Sequence, residues 1–181
     1  MALLGLYLVA CALLVMAGLM KVVRPHDTAR ALAHSFSRWP KRFGPAVVRC
    51  GAVLEAGLGV VALIGPARPL AAGVVCSYAA FGVFVIYAHA RRGPLATCGC
   101  FGAPDTPPTM LHVVIDAVLL AAAMSVAISS PSGPVTSTLA RQYGHGVPLV
   151  AASAVAAWLS YLALAPLARL GALRTMRPVN G

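Results

Sequence analysis

The sequence predicts an all-α protein, a polytopic transmembrane helical bundle of about five spans, and three observations lead there. The chain of 181 residues is 60% hydrophobic and only 10% charged, with a mean hydropathy of +0.85. A water-facing globular domain of this size could not hide so much apolar surface. The apolar residues also gather in runs long enough, at about 1.5 Å per residue, to cross a hydrocarbon core of about 30 Å. Finally, the basic residues punctuate those runs instead of forming one patch. The net charge of +10 therefore does not point to nucleic acid, whose recognition needs clustered Lys and Arg on a soluble scaffold. The expected partner of this surface is the lipid bilayer.

The spans fall near 2–23, 46–64, 70–90, 110–128 and 147–168. The first begins Met1-Ala2-Leu3-Leu4 without the basic start of a cleaved signal, stays apolar, and then meets Lys21 and Arg24, so it reads as a retained span. Leu8-Val9-Ala10-Cys11 has the form of a lipoprotein cleavage box, but the missing basic start and the apolar residues after Cys11 argue against that use. Between the first two spans, Asp27 or Thr28 is placed to cap a short helix near 28–38. Ala29, Leu32, Ala33 and Phe36 share one face of it, with Arg30, His34 and Arg38 elsewhere and Trp39 and Phe43 following. That pattern suits a helix lying in the headgroup layer with its basic side toward anionic lipid. Gly65-Pro66-Ala67-Arg68-Pro69 forbids continued helix and makes a tight reversal. Residues 129–146, rich in Ser and Pro, read as a looser connection. No tandem repeat is visible, and the chain reads as a single transmembrane domain over 1–168 with a basic tail at 169–181, which is expected to be cytoplasmic and mobile.

Charge sets the expected orientation. Of the 14 Lys and Arg residues, all but Arg68 and Arg141 lie in the 21–49 connection, the 90–109 connection or the tail. Because Lys and Arg mark the cytoplasmic side, the expectation is a multi-pass protein of the inner (plasma) membrane. Its N-terminus lies outside, and its C-terminus and 90–109 loop lie in the cytoplasm.

That loop holds the sharpest local feature, Cys98-Gly99-Cys100-Phe101-Gly102. Two thiols one Gly apart can approach each other, and a disulfide across so short a ring is strained and exchangeable. The same thiols, with His89 or His112, could instead hold a soft metal such as Cu(I) or zinc. Cys11, Cys50 and Cys76 lie in or beside apolar runs, where Cys usually packs as a small apolar residue.

Intramembrane charge is the second signal. Glu55 sits in the middle of the second span and Asp116 just inside the fourth, two of only four acidic residues in the chain, and such groups are costly unless paired, hydrated or protonated. Gly51, Gly57 and Gly59 beside Glu55 would let a neighbouring helix approach. His112 and Asp116, four apart, share a helix face, and Lys21 is a partner for Asp116 or Glu55. These groups could satisfy one another and hold helices in register, or line a protonatable path for a small solute.

Three segments taken together resemble the methylamine utilisation protein MauE family, which is similar to the DoxX-like membrane proteins. They are Ala17-Gly18-Leu19-Met20-Lys21, Leu54-Glu55-Ala56-Gly57-Leu58-Gly59 and Cys98-Gly99-Cys100-Phe101-Gly102, and the resemblance spans roughly 1–128. It implies a multispan inner-membrane protein of methylamine metabolism that assists maturation of the disulfide-rich small subunit of methylamine dehydrogenase, alongside a thioredoxin-like partner. By that analogy Cys98 and Cys100 are the redox pair, and Lys21 and Glu55 match recurrent family positions. No cofactor follows from the residues.

Overall fold

The computed structural model describes residues 2–35, 42–65, 67–90, 110–129, 135–140 and 143–164. All of them lie in helices or their immediate caps, with no strand among the described residues. The order is α1 (Ala2–Val23), α2 (Pro25–Ser35), α3 (Gly44–Ile64), α4 (Ala67–Ala90), α5 (Met110–Ser129), α6 (Val135–Ala140) and α7 (Tyr143–Leu162). Four of these, α1, α3, α4 and α5, are long and apolar enough to cross a membrane, and α7 contributes a shorter apolar stretch, Gly146–Leu162. The expected five-helix bundle is therefore present, with the limits of the first four spans within a few residues of those read from hydropathy; the end expected near 168 lies outside the described residues.

The first helix is the axis of the bundle. It has the highest hydropathy of the four and the largest buried share, because an apolar helix without a polar stripe has no side it must turn outward. It packs against α3, α5 and α7, with Tyr7, Cys11, Leu14, Val74, Leu119 and Ala123 in the shared core. Gly18 lets α1 and α3 cross at backbone distance: a Cβ there would lie 2.7 Å from both the Ala52 carbonyl oxygen and the Ala56 nitrogen. Gly59 does the same one crossing further along, against Val15 and the Cys11 carbonyl. Small residues at such crossings are how helices associate where lipid offers no hydrophobic drive.

Polar atoms tie the remaining helices to this pair. Tyr78 Oη donates to the Ala10 carbonyl at 2.8 Å, joining α4 to α1, and Ser153 Oγ reaches the Gly5 carbonyl at 3.2 Å, joining α7 to α1. The unsatisfied carbonyls at two helix ends find arginines. Arg49 Nε donates to Val22 O at the end of α1, and Arg68 donates to Ala127 O and Ile128 O at the end of α5. These contacts make α1, α4 and α7 parallel, with α3 and α5 antiparallel to them. One end of the bundle thus collects the C-termini of α1, α4 and α7 and the N-termini of α3 and α5. Leu54, Val83, Val114, Ile128 and Trp158 point outward, as lipid-facing positions should.

The short helix between the first two spans is present. It starts at Pro25, earlier than expected, because proline is well suited to the first helical position. Ala29 is buried, Leu32 and Ala33 are half-buried, and Arg30 is exposed, and the helix rests on α3. Phe36 and Arg38 and the side chain of His34 lie outside the described residues.

Three expectations need correction. Gly51 and Gly57 do not serve helix approach, since a Cβ at either meets nothing within 4 Å; only Gly59 of the three does. The 129–146 connection contains a helix, α6, whose Thr and Ser residues disguise it in the sequence. The last helix begins at Tyr143, before Pro148; a proline inside a membrane helix is tolerated because neighbours satisfy the freed carbonyl.

Candidate functional site

The collected end of the bundle is where the ionisable side chains meet. Lys21 is carried by the last turn of α1, and Glu55 stands on α3 where the two helices run side by side. Lys21 Nζ donates to Glu55 Oε2 at 2.6 Å, with the two side chains only 16% and 22% exposed. Of the two partners expected for Lys21, Glu55 is the one it takes.

Asp116 and His112 lie one turn apart on α5, both buried. His112 hydrogen-bonds the backbone of Leu164 beyond α7. Asp116 fits because α4 carries a glycine opposite it: a Cβ at Gly82 would stand 2.5 Å from Asp116 Oδ2. The other carboxylate oxygen, Oδ1, is buried with no hydrogen-bond partner among the described residues. A buried acceptor left in that state is costly.

All four groups line one small cavity of about 50 Å³, with Tyr78, Phe81 and Leu119 among its other lining residues. That is room for at least one water molecule, which needs about 10–15 Å³ on this measure. Lys21 and Glu55 also line a larger groove of about 490 Å³ between α2, α3 and α4. Lys21, Glu55, Ser77 and Phe81 border both spaces. The ion pair therefore borders both a small cavity that also holds Asp116 and His112 and a wider groove.

Cys98 and Cys100 lie outside the described residues, as does the side chain of His89. The connection that carries the two thiols leaves α4 at Ala90 and enters α5 at Met110, so it starts and finishes at the end of the bundle that holds the cavity. Among the described residues no three His, Cys, Asp or Glu side chains are grouped to hold a metal. Cys11 is buried in the core while Cys50 and Cys76 are exposed, and none of the three is paired. Cys50 and Cys76 thus lie on the outer surfaces of α3 and α4.

With four spans, a cavity lined by ionisable side chains and a thiol-bearing connection on the page, a family model described as Methylamine utilisation protein MauE matches residues 1–129. The chain belongs to the MauE family. No curated protein and no solved structure matches it. The MauE match takes in α1 through α5, and so every helix that supplies Lys21, Glu55, His112 and Asp116, while α6 and α7 lie beyond it. The protein is a MauE-like, multi-pass membrane protein of methylamine utilisation. Sequence reading named the four charged or ionisable residues of this MauE chamber but missed Gly82, Ser77 and Phe81, because an apolar helix gives no sign of which side faces a neighbour.

Proposed function

We propose that this protein supports the thiol–disulfide maturation of a partner protein, with Cys98 and Cys100 as the exchanging pair and Lys21, Glu55, His112 and Asp116 as its supporting groups. One observation supports this above the others: the two helices that flank the Cys98-Gly99-Cys100 connection deliver His112, Asp116 and Ser77 to the chamber that also holds the Lys21–Glu55 pair. A thiolate from one Cys attacks the partner's disulfide and forms a mixed disulfide; the second Cys resolves it, leaving a disulfide here and a dithiol on the partner. Run in reverse, the same exchange oxidises the partner. The partner is a thioredoxin-like protein or a disulfide-rich client. The bias of Lys and Arg toward this end supports the cytoplasmic face of the inner membrane, where the pair would pass reducing equivalents.

Trapping tests the reading. In a background with Cys11, Cys50 and Cys76 replaced by Ser, Cys100→Ser or Cys98→Ser should accumulate a partner adduct in native membranes that disappears on treatment with dithiothreitol. Absence of any adduct from both variants would overturn the proposal. Solute uptake that depends on Glu55 and survives loss of both thiols would mark a carrier instead.

A further inference from the structure

The small cavity lined by α1, α3, α4 and α5 holds an unbalanced charge. Lys21 and Glu55 neutralise each other at 2.6 Å, which leaves Asp116, only 5% exposed, as the remaining carboxylate of the lining. The other titratable groups there do not offset it. Tyr78 is uncharged in its ordinary form, and its hydroxyl donates to the Ala10 carbonyl at 2.8 Å. His112 is engaged with the backbone of Leu164, and an imidazole in its ordinary state is uncharged at about pH 8. The lining therefore carries a net negative charge. Its source, Asp116, has one carboxylate oxygen, Oδ1, that is buried with no hydrogen-bond partner among the described residues.

Charge and unmet oxygen together specify a ligand. A buried charge without a counter-charge is costly, and a neutral water satisfies the oxygen without cancelling the charge. A proton cancels the charge but creates an O–H, and no hydrogen-bonding atom of the described residues stands within reach of Oδ1 to accept from it. A small cation answers both needs. It should be singly charged, because a divalent ion would leave excess positive charge beside the Lys21 ammonium. The groups that border the cavity are rich in oxygen: the Asp116 carboxylate, the second oxygen of Glu55, and the hydroxyls of Ser77 and Tyr78. Both hydroxyl protons already go to backbone carbonyls, of Gly73 and Ala10, which leaves oxygen lone pairs for a cation. Oxygen donors suit hard ions. The volume of about 50 Å³ admits an ion of water-like size with a water beside it, at about 10–15 Å³ each.

We infer that this cavity binds a small monovalent cation of the alkali-metal class, with Asp116 as its charged ligand. Gly82 leaves the room that the carboxylate needs, since a Cβ there would stand 2.5 Å from Oδ2. The site joins four helices and depends on neither Cys98 nor Cys100.

Sodium is the probe. Purified full-length protein in phosphatidylcholine nanodiscs, in choline chloride at about pH 8, should bind radiolabelled sodium saturably, at about one ion per chain. Asp116→Asn should lose that binding while eluting as the same monodisperse species. Glu55→Gln keeps an oxygen but frees the Lys21 ammonium to balance Asp116, so it should bind about tenfold more weakly or worse. Adding Lys21→Met to Glu55→Gln restores the negative balance and should restore binding. A Cys98→Ser, Cys100→Ser double variant should bind as the unmodified protein does. Sodium should also raise the thermal unfolding midpoint above that in choline at equal ionic strength, because an ion held by the folded state stabilises it; Asp116→Asn should show no such rise. The site is overturned by lack of saturable sodium binding in the unmodified protein, by undiminished binding in Asp116→Asn, or by failure of Lys21→Met to rescue Glu55→Gln. Loss of binding in the double cysteine variant would overturn its independence from the thiols.

Discussion

Replacing Glu55 with Leu should destabilise the protein by about 1–3 kcal/mol, and adding Lys21→Met to that variant should recover most of the loss. The pair is a single contact at 2.6 Å between side chains that are each largely covered. Breaking a fully buried pair costs about 3–5 kcal/mol, because one charge remains without a partner. The residual exposure here argues for a smaller figure. Removing both charges leaves apolar side chains of similar size in an apolar setting, which is often neutral or stabilising. Unfolding of the two single variants and the double variant in detergent, compared as a double-mutant cycle, measures the coupling. Strictly additive losses would show that the ion pair does not hold α1 against α3.

Gly18→Leu should cost about 3 kcal/mol, near the upper end for over-packing. The atoms it would strike are backbone, the Ala52 carbonyl and the Ala56 nitrogen, both 2.7 Å from the added Cβ, and backbone in a packed helix cannot swing aside as a side-chain end can. Gly57→Leu in the neighbouring helix is the matched control. It meets open space and should be neutral or gain up to about 1 kcal/mol from the higher helix propensity of leucine. The measurement is the midpoint of thermal or denaturant unfolding in the same detergent. Equal midpoints for the two variants would mean that α1 and α3 do not cross at Gly18.

These two positions also show what could be read from the chain before its structure. Hydropathy gives the length of an apolar run, and length against bilayer thickness nearly fixes a span; hence α1, α3, α4 and α5 were legible almost to their ends. An intramembrane charge must find a partner, so Lys21, Glu55, His112 and Asp116 were legible as a group, and Glu55 as a partner for Lys21. Direction around the helix was not legible. Gly18, Gly51, Gly57 and Gly59 are identical in composition terms, yet two touch a neighbouring backbone and two face open space. Gly82 was invisible for the same reason: its role appears only when Asp116 of α5 is set against it. The groove depends on how α2, α3 and α4 splay, a property of three helices that no one stretch of sequence contains. Cys98 and Cys100 were found by spacing alone, and the described helices add only where their connection begins and ends.

The redox assignment is tested most directly by the oxidation state of that pair in living cells. In a chain with Cys11, Cys50 and Cys76 replaced by Ser, growing cells are quenched in acid and the remaining thiols tagged with a mass-shifting maleimide. The expected result is two populations, one carrying both tags and one carrying neither, which interconvert on brief exposure to diamide or dithiothreitol. A single species that carries both tags under every condition would contradict the assignment of Cys98 and Cys100 as an exchanging pair.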